Sequence, residues 1–165
     1  MRILIATEKD VKDIADILNE SWSYAYENII PQETILQRNA SRELNLAQAI
    51  TDENDNYYIV RYHGTPIATF CIGPSSDKDT DKYTYEVIVM YVRPSHMRQG
   101  FGKKMMKYIV KKAKHYRMKK IKVWVLCENL NAIAFYYRTG FVPDGAKKIM
   151  RYGKDMELMR MEKYI

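Results

Sequence analysis

The chain has 165 residues, of which 47% are hydrophobic and 28% are charged, and its formal net charge is +7 at pH 7. A chain of this length can bury a core without disulfides or a metal, so we predict one domain that spans residues 1–165. No apolar run approaches the roughly 18 residues of a membrane-spanning helix, so we expect no membrane partner.

The N-terminal residues predict a strand and then an amphipathic helix. Residues 1–7 form too short a segment, before the charged residues that follow, to be a signal peptide, so a cytoplasmic protein is expected. Thr7 stands three residues before Asp10, a spacing typical of a helix cap. The helix after this cap has an apolar face formed by Val11, Ile14, Ile17 and Leu18.

Aromatic residues follow on the first predicted helix. Trp22 and Tyr26, with Tyr24 between them, are candidates to line an acceptor pocket, because aromatic faces attract cationic amines. Trp22 also continues the apolar face of the helix, so a purely structural role stays open. Pro31 predicts the start of a second helical segment and residues 42–50 predict a third, with a polar turn at residues 52–56.

The middle of the chain predicts three strands. Residues 57–62 and 66–72 predict a hairpin around the sequence His-Gly-Thr at 63–65. Residues 77–82 predict a mobile loop, and residues 83–92 predict the next strand. Glu86 is the one charged residue of that strand.

A glycine-bearing turn connects this strand to the next predicted helix, at residues 101–116. Residues 92–104 read V-R-P-S-H-M-R-Q-G-F-G-K-K. The first amides of a helix lack internal partners and carry the positive end of the helix dipole, and glycines let the backbone approach a phosphate. Gly100 and Gly102 match neither a Walker loop nor a dinucleotide fingerprint, which needs a third glycine where Met105 stands. The segment therefore predicts a phosphate-binding turn of another kind, or simply a tight turn before a basic helix.

The predicted helix at residues 101–116 is amphipathic. Its apolar stripe consists of Met105, Met106, Ile109, Val110, Ala113 and Tyr116. Lys103, Lys107 and Lys111 share another face, and we expect the first two to lie near bound phosphates while the rest are solvated. Charge alone would permit nucleic-acid binding, but no recognised nucleic-acid module accompanies it, so no such partner is expected.

The C-terminal third predicts a strand at residues 120–126, a helix at 130–138 and strands near 141–149 and 155–163. Together these elements predict an α/β (α+β) fold, with a mixed sheet and helices on both of its faces. Cys71 and Cys127 are expected to be buried thiols rather than a disulfide, since neither belongs to a CxxC pair. The three histidines lack ligand spacing, so no metal site is expected.

Two motifs carry a family resemblance. Residues 129–141 read N-L-N-A-I-A-F-Y-Y-R-T-G-F, and together with residues 92–104 they resemble the GNAT superfamily of N-acetyltransferases. Residues 21–31 and 141–145 are similar to the polyamine acetyltransferase-like branch. The resemblance covers essentially the whole chain and implies a mostly antiparallel sheet of about seven strands. It also implies acetyl-CoA as co-substrate and no metal.

The resemblance also implies the residues that hold the cofactor. The pantetheine arm would run along the backbone of Met90, Tyr91 and Val92, and Asn129 would cap the last helix and contact the cofactor. The pyrophosphate would lie on the turn formed by Arg98, Gln99, Gly100, Phe101, Gly102 and Lys103. Met97 departs from the family pattern, which often has Gln or Arg at this position.

Tyr136 occupies the position of the family's general acid, which protonates the coenzyme A sulfur. The general base is less clearly marked. Glu86 is the first candidate, because a carboxylate can remove the proton of an amine, and Glu128 is the alternative. Trp124 stands where relatives that acetylate ribosomal proteins place a glutamate, which favours a small amine over a peptide N-terminus.

The sequence therefore predicts an N-acetyltransferase that transfers the acetyl group of acetyl-CoA to a primary amine by direct attack in a ternary complex. The acceptor is expected to be a small, polyamine-like amine bound near Trp22, Tyr26 and Glu86. A protein N-terminal or lysine acetyltransferase and a non-catalytic acyl-CoA sensor are the alternatives. A homodimer stays open.

Overall fold

The structure, a computed structural model, describes residues 1–51 and 56–165. Its strands are β1 (Arg2–Ile5), β2 (Asn56–Tyr62), β3 (Thr65–Pro74), β4 (Thr84–Val92), β5 (Lys120–Leu126), β6 (Val142–Arg151) and β7 (Asp155–Tyr164). Its helices are α1 (Val11–Tyr26), α2 (Gln32–Thr51), α3 (Phe101–His115) and α4 (Leu130–Arg138), with short 3₁₀ turns at Glu8–Asp10 and Pro94–His96.

The strands form one sheet of seven, in the order β1-β2-β3-β4-β5-β7-β6. Neighbouring strands are antiparallel except β4 and β5, which are parallel. The connection from β4 to β5 passes through α3, as a parallel pair requires. The predicted mixed, mostly antiparallel sheet is therefore confirmed.

The core lies on both faces of this sheet. Tyr58 packs in a cluster with Met105 and Ile109 of α3, whereas its neighbour Ile59 packs with Ile14 of α1. Successive residues of a strand point to opposite faces, so β2 alone shows that α1 and α3 cover opposite sides. The prediction of helices on both faces is confirmed.

Several predicted elements match the structure closely. Asp10 accepts from the Thr7 amide at 3.0 Å, and the Asp10 amide donates to the Thr7 carbonyl at 2.9 Å, so the predicted cap begins the 3₁₀ turn before α1. The β2–β3 hairpin turns at His63 and Gly64, whose φ angles of 48° and 84° are those of a type I′ turn.

The prediction of two helical segments after Pro31 was wrong, because α2 is one continuous helix. Near its middle, the Ser41 hydroxyl donates to the backbone carbonyls of Gln37 and Arg38 at 3.4 Å. Such back-bonding satisfies a serine within a helix. Positions 52–55 of the predicted polar turn lie outside the described residues.

Two smaller differences concern exposure. Tyr116, predicted as the end of an apolar stripe, lies after α3 and is 47% exposed. Cys71 is buried in β3, but Cys127 is partly exposed after β5, so its predicted burial was wrong. No helix in the described ranges is long and apolar enough to cross a membrane.

Candidate functional site

The sheet opens between its two parallel strands. β4 and β5 are paired only at Thr84–Lys120, Tyr85–Ile121 and Glu86–Lys122. Beyond these pairs β4 continues to Val92 against β3, and β5 continues to Leu126 against β7. The backbone groups that face the gap therefore have no strand partner after Glu86 and Lys122.

A cavity of about 720 Å³ occupies this opening. Its walls come from β4 and β5, from α1, α2 and α4, and from the β6–β7 hairpin. Of the predicted site residues it is lined by Trp22, Tyr26, Glu86, Met90, Tyr91, Asn129 and Tyr136. The structure thus brings together residues from separate elements of the chain.

Tyr136 lies on α4 and is 7% exposed. Burial raises the pKa of its phenol well above the ordinary value, with a smaller contribution from Tyr26. The phenol is therefore protonated throughout the neutral range, as a proton donor must be. The adjacent Tyr137 is 51% exposed and does not line the cavity.

Asn129 begins α4. Its side-chain oxygen accepts from the amide of Ala132 at 3.1 Å, which confirms the predicted cap. Asn129 and Ala132 both line the cavity. The side-chain NH₂ of Asn129 is a donor on the same cavity wall as Tyr136.

Glu86, the first candidate for the base, is the third residue of β4 and is partly buried. One of its carboxylate oxygens lies 2.8 Å from the ammonium of Lys122, which is 1% exposed and also pairs with Asp77. Glu86 lines the cavity, so it is more than an exposed strand end. Glu128, the alternative, does not line the cavity.

Tyr91 contributes a side chain that the sequence did not single out. Its hydroxyl lies 2.9 Å from that of Tyr26, and burial raises the pKa of both phenols. Met90 also lines the cavity, but Val92 does not, and its carbonyl accepts from the Ser21 hydroxyl at 3.3 Å. The segment predicted to hold the pantetheine arm therefore lines the cavity at Met90 and Tyr91 but not at Val92.

The glycine-bearing turn lies next to α4. Gly100 has a φ of 82° as the residue before α3, and Arg98 has a positive φ of 58°. The amides of Phe101, Gly102 and Lys103 are the first of α3 and have no partner in the preceding turn of the helix. This turn is not part of the cavity lining, and the side chain of Gln99 is used to donate to the Ser95 carbonyl at 3.2 Å.

Gly102 connects the two sequence motifs. A Cβ placed there would lie 3.1 Å from the ring of Phe135, a contact closer than most side chains allow. Glycine at position 102 therefore lets α3 pack closely against α4. The contact is made with Phe135, the residue before Tyr136. The phosphate-binding candidate and the acid candidate are held by directly packed helices.

Trp22 and Tyr26 both line the cavity, with ring centroids 4.9 Å apart, whereas Tyr24 is 60% exposed and does not. The Trp22 ring already has two cationic neighbours, because the guanidinium carbons of Arg38 and Arg42 each lie 5.1 Å from its centroid. Both arginines line the cavity and were not identified from the sequence. Their i, i+4 spacing on α2 was the only available signal.

The loop between β3 and β4, predicted to be mobile, is anchored in the structure. Arg160 of β7 donates through both terminal nitrogens to Asp79 at 2.7 Å and through Nε to Asp144 at 2.6 Å. Asp77 accepts from the Trp124 indole at 3.0 Å and from Arg160 at 3.1 Å. The pairing with Arg160 lowers the pKa of Asp79 to about 2.

Replacing Arg160 with glutamine is expected to release this loop, since Gln cannot form the two-pronged ion pair. Hydrogen exchange of amides 75–83 should become faster. In the wild-type protein, protection should persist at neutral and mildly acidic pH and be lost as the pH falls through about 2, because the folded-state pKa of Asp79 is lowered. Arg151→Gln is the control, because Arg151 is 76% exposed in its pair with Asp155. Equal exchange in both variants would contradict the anchoring.

Within the described ranges, no group of three or more His, Cys, Asp or Glu residues is placed to hold a metal ion.

Comparisons with known proteins agree with this geometry. The model of the acetyltransferase (GNAT) family matches residues 11–141. The PaiA N-acetyltransferase of Thermoplasma acidophilum, solved with coenzyme A, is similar with a TM-score of 0.82 at 19% identity, over 99% of this chain and 98% of that one. The ribosomal-protein-alanine N-acetyltransferase of Brucella melitensis is similar with a TM-score of 0.70 at 18% identity, over 100% of both chains.

An acetyltransferase of Thermus thermophilus is similar with a TM-score of 0.74 at 16% identity, over 99% of this chain and 96% of that one. Identities at this level establish a shared fold and leave the acceptor open. Among curated protein sequences, no relative matches the chain.

Proposed function

The chain belongs to the acetyltransferase (GNAT) family, and from this premise we propose that it is an N-acetyltransferase that uses acetyl-CoA to acetylate a small primary amine. The observation that carries the proposal is the opening between β4 and β5, with a buried, protonated tyrosine at its wall. Such an opening offers unpaired backbone groups to an amide-bearing ligand and a proton donor to its reacting end.

Acetyl-CoA fits the residues present. The N-terminal amides of α3, preceded by Gly100, suit the pyrophosphate, and Lys103 and Lys107 add positive charge at the same helix end. Met90 and Tyr91 offer backbone groups to the pantetheine arm, and Asn129 offers its amide. Arg98, Gln99, Phe101 and Gly102 complete the turn, with the Gln99 side chain already used within it.

When bound, acetyl-CoA supplies a thioester whose C–S bond breaks as the amine nitrogen forms a C–N bond to the acetyl carbon. The leaving thiolate needs a proton, and Tyr136 is the donor in the cavity wall. The amine must lose a proton, and keeping an alkylamine neutral at pH 7 costs about 4–5 kcal/mol. Glu86 takes that proton, directly or through a water molecule.

The pairing of Glu86 with Lys122 supports this assignment. The ion pair fixes the position of the Glu86 carboxylate at the cavity wall, where an incoming amine can meet it. Trp22 and Tyr26 line the same cavity and would border the acceptor. The polyamine branch, the single domain, the cytoplasmic location and the homodimer stay predictions from the sequence.

The test is thiol release from acetyl-CoA in the presence of an amine panel led by spermidine and a peptide with an N-terminal alanine. We expect turnover with at least one small amine and none with the peptide. Calorimetry with acetyl-CoA alone is the control for binding. Tight binding without turnover on any amine would overturn the enzyme proposal in favour of an acyl-CoA sensor, and peptide turnover would favour a protein acetyltransferase.

A further inference from the structure

The charges around the cavity are mostly positive. Among its lining residues Arg38, Arg42 and Lys148 are cationic, and Glu86 is anionic. The carboxylate of Glu86 pairs with the buried Lys122, which also pairs with Asp77, and both carboxylates attract the ammonium of Lys148. An acceptor that enters this cavity therefore meets two guanidinium groups, those of Arg38 and Arg42, that no carboxylate of the cavity wall pairs with.

None of these three cations forms an ion pair with a carboxylate in the part of the chain that the structure describes. Arg42 donates to the neutral amide oxygens of Asn19 at 2.6 Å and Asn39 at 3.2 Å. Arg38 lies over the rings of Trp22 and Tyr152, with its guanidinium carbon 4.8 Å from the Tyr152 centroid. A guanidinium stacked in this way keeps its in-plane N–H donors for a planar anion.

Lys148 belongs to β6, and its ammonium nitrogen lies 4.1 Å from the centroid of the Trp124 ring. Burial lowers the pKa of its ammonium, and burial also lowers the pKa of the Arg42 guanidinium. Arg42 is thus held partly out of water without a carboxylate partner, and an incoming anion would stabilise it, whereas Lys148 is already attracted by Asp77 and Glu86.

The aromatic faces of the cavity are already occupied by the protein's own cations. Trp22 has Arg38 and Arg42 as neighbours, and Trp124 has Lys148, with Arg160 also 5.5 Å from its centroid. A cationic substrate arm would have to displace these groups or lie beside them. Like charges at such distances oppose binding.

Resting on the proposed function, we propose that the acceptor is a primary amine that also carries a carboxylate or phosphate group, which Arg38 and Arg42 bind while the amine faces Glu86. The two arginines stand four residues apart on α2, both line the cavity, and both guanidinium carbons lie 5.1 Å from the centroid of the Trp22 ring. The same charge opposes a polyamine, whose second and third ammonium groups find no free carboxylate among the described lining residues.

The experiment measures binding of matched amines to the complex of the protein with coenzyme A, by calorimetry. The four-carbon probes are γ-aminobutyrate, aminobutanol and putrescine, and phosphoethanolamine with ethanolamine tests phosphate against carboxylate. We expect at least one anionic amine to bind roughly tenfold or more tightly than its uncharged partner, as hydrogen bonds between charged groups allow. Putrescine should bind most weakly, and added salt should reduce the preference.

Substitutions of the cavity arginines test whether these residues cause the preference for an anionic amine. Arg38→Gln and Arg42→Gln should each reduce the preference for the anionic amine severalfold, and Arg38→Glu should shift it toward putrescine. Arg2→Gln, an exposed residue of β1 on the far edge of the sheet, is the control and should change nothing.

Equal or tighter binding of aminobutanol or putrescine, or absence of binding by both anionic amines, would overturn the inference. A preference unaffected by the cavity variants would also overturn it. Thiol release with the same panel tests the proposed function separately. Anionic amines that bind without being acetylated would refute the proposed acetyltransferase activity and would still support the anion-binding site.

Discussion

Replacing Tyr136 with phenylalanine is expected to lower kcat by about 100- to 10,000-fold, the usual contribution of a general acid. The affinity for acetyl-CoA should stay within a few fold, because the ring that packs in the core is retained. Tyr136 touches Phe135 and Phe141 edge to face, with centroids 5.4 and 5.5 Å away, and phenylalanine preserves both contacts. The measurement is steady-state thiol release together with calorimetry of acetyl-CoA.

The matched control is Tyr137→Phe. It removes the same hydroxyl from the next residue of α4, which is half exposed and outside the cavity lining. This variant should keep wild-type kcat. If both variants retain full turnover, Tyr136 is a packing residue and the thiolate obtains its proton elsewhere.

Replacing Lys122 with methionine is expected to lower the free energy of unfolding by about 3–5 kcal/mol, because it leaves the partly buried carboxylate of Glu86 without its ion-pair partner and leaves Asp77 with Arg160 alone. Lys122 is 1% exposed and pairs with both Asp77 and Glu86. Urea denaturation measures the loss. Adding Glu86→Gln to this variant should recover part of it, since the double variant no longer buries an uncompensated charge at Glu86.

Lys147→Met is the control for Lys122. Its ion pair with Glu157 also joins a lysine to a glutamate at 2.9 Å, but the two side chains are 58% and 44% exposed. An exposed pair contributes under about 1 kcal/mol, so this variant should unfold close to the wild type. Equal destabilisation by both variants would show that burial of Lys122 does not set its importance.

The sequence predicted best those features that depend on neighbouring residues. β5 and α4 have the predicted bounds, residues 120–126 and 130–138, because apolar periodicity and the Asn129 cap act over short distances. Tyr136 lines the cavity because it shares a short helix with that cap. The prediction that α2 is two separate helices was wrong for a local reason as well. A serine whose hydroxyl donates to a carbonyl of the preceding helical turn cannot be told in the sequence from a serine that ends a helix.

The charge pattern of the site could not be predicted in the same way. Asp77, Lys122 and Arg160 come from three distant parts of the chain, and only the register of β5 against β4 and β7 brings them together. The same holds for Arg38 and Lys148, which meet the cavity from α2 and β6. Aromatic residues suggested a site for cationic amines, but which charges would neighbour Trp22 depends on the whole fold.

The divergence of β4 from β5 has a thermodynamic consequence. Backbone groups that face the gap complete their hydrogen bonds with water or with a ligand, so a ligand bound there is linked to folding. At a concentration one hundred times its dissociation constant, a ligand that binds only the folded chain adds about 2.7 kcal/mol of stability. The free energy of unfolding of this protein would then rise and fall with the concentration of acetyl-CoA around it.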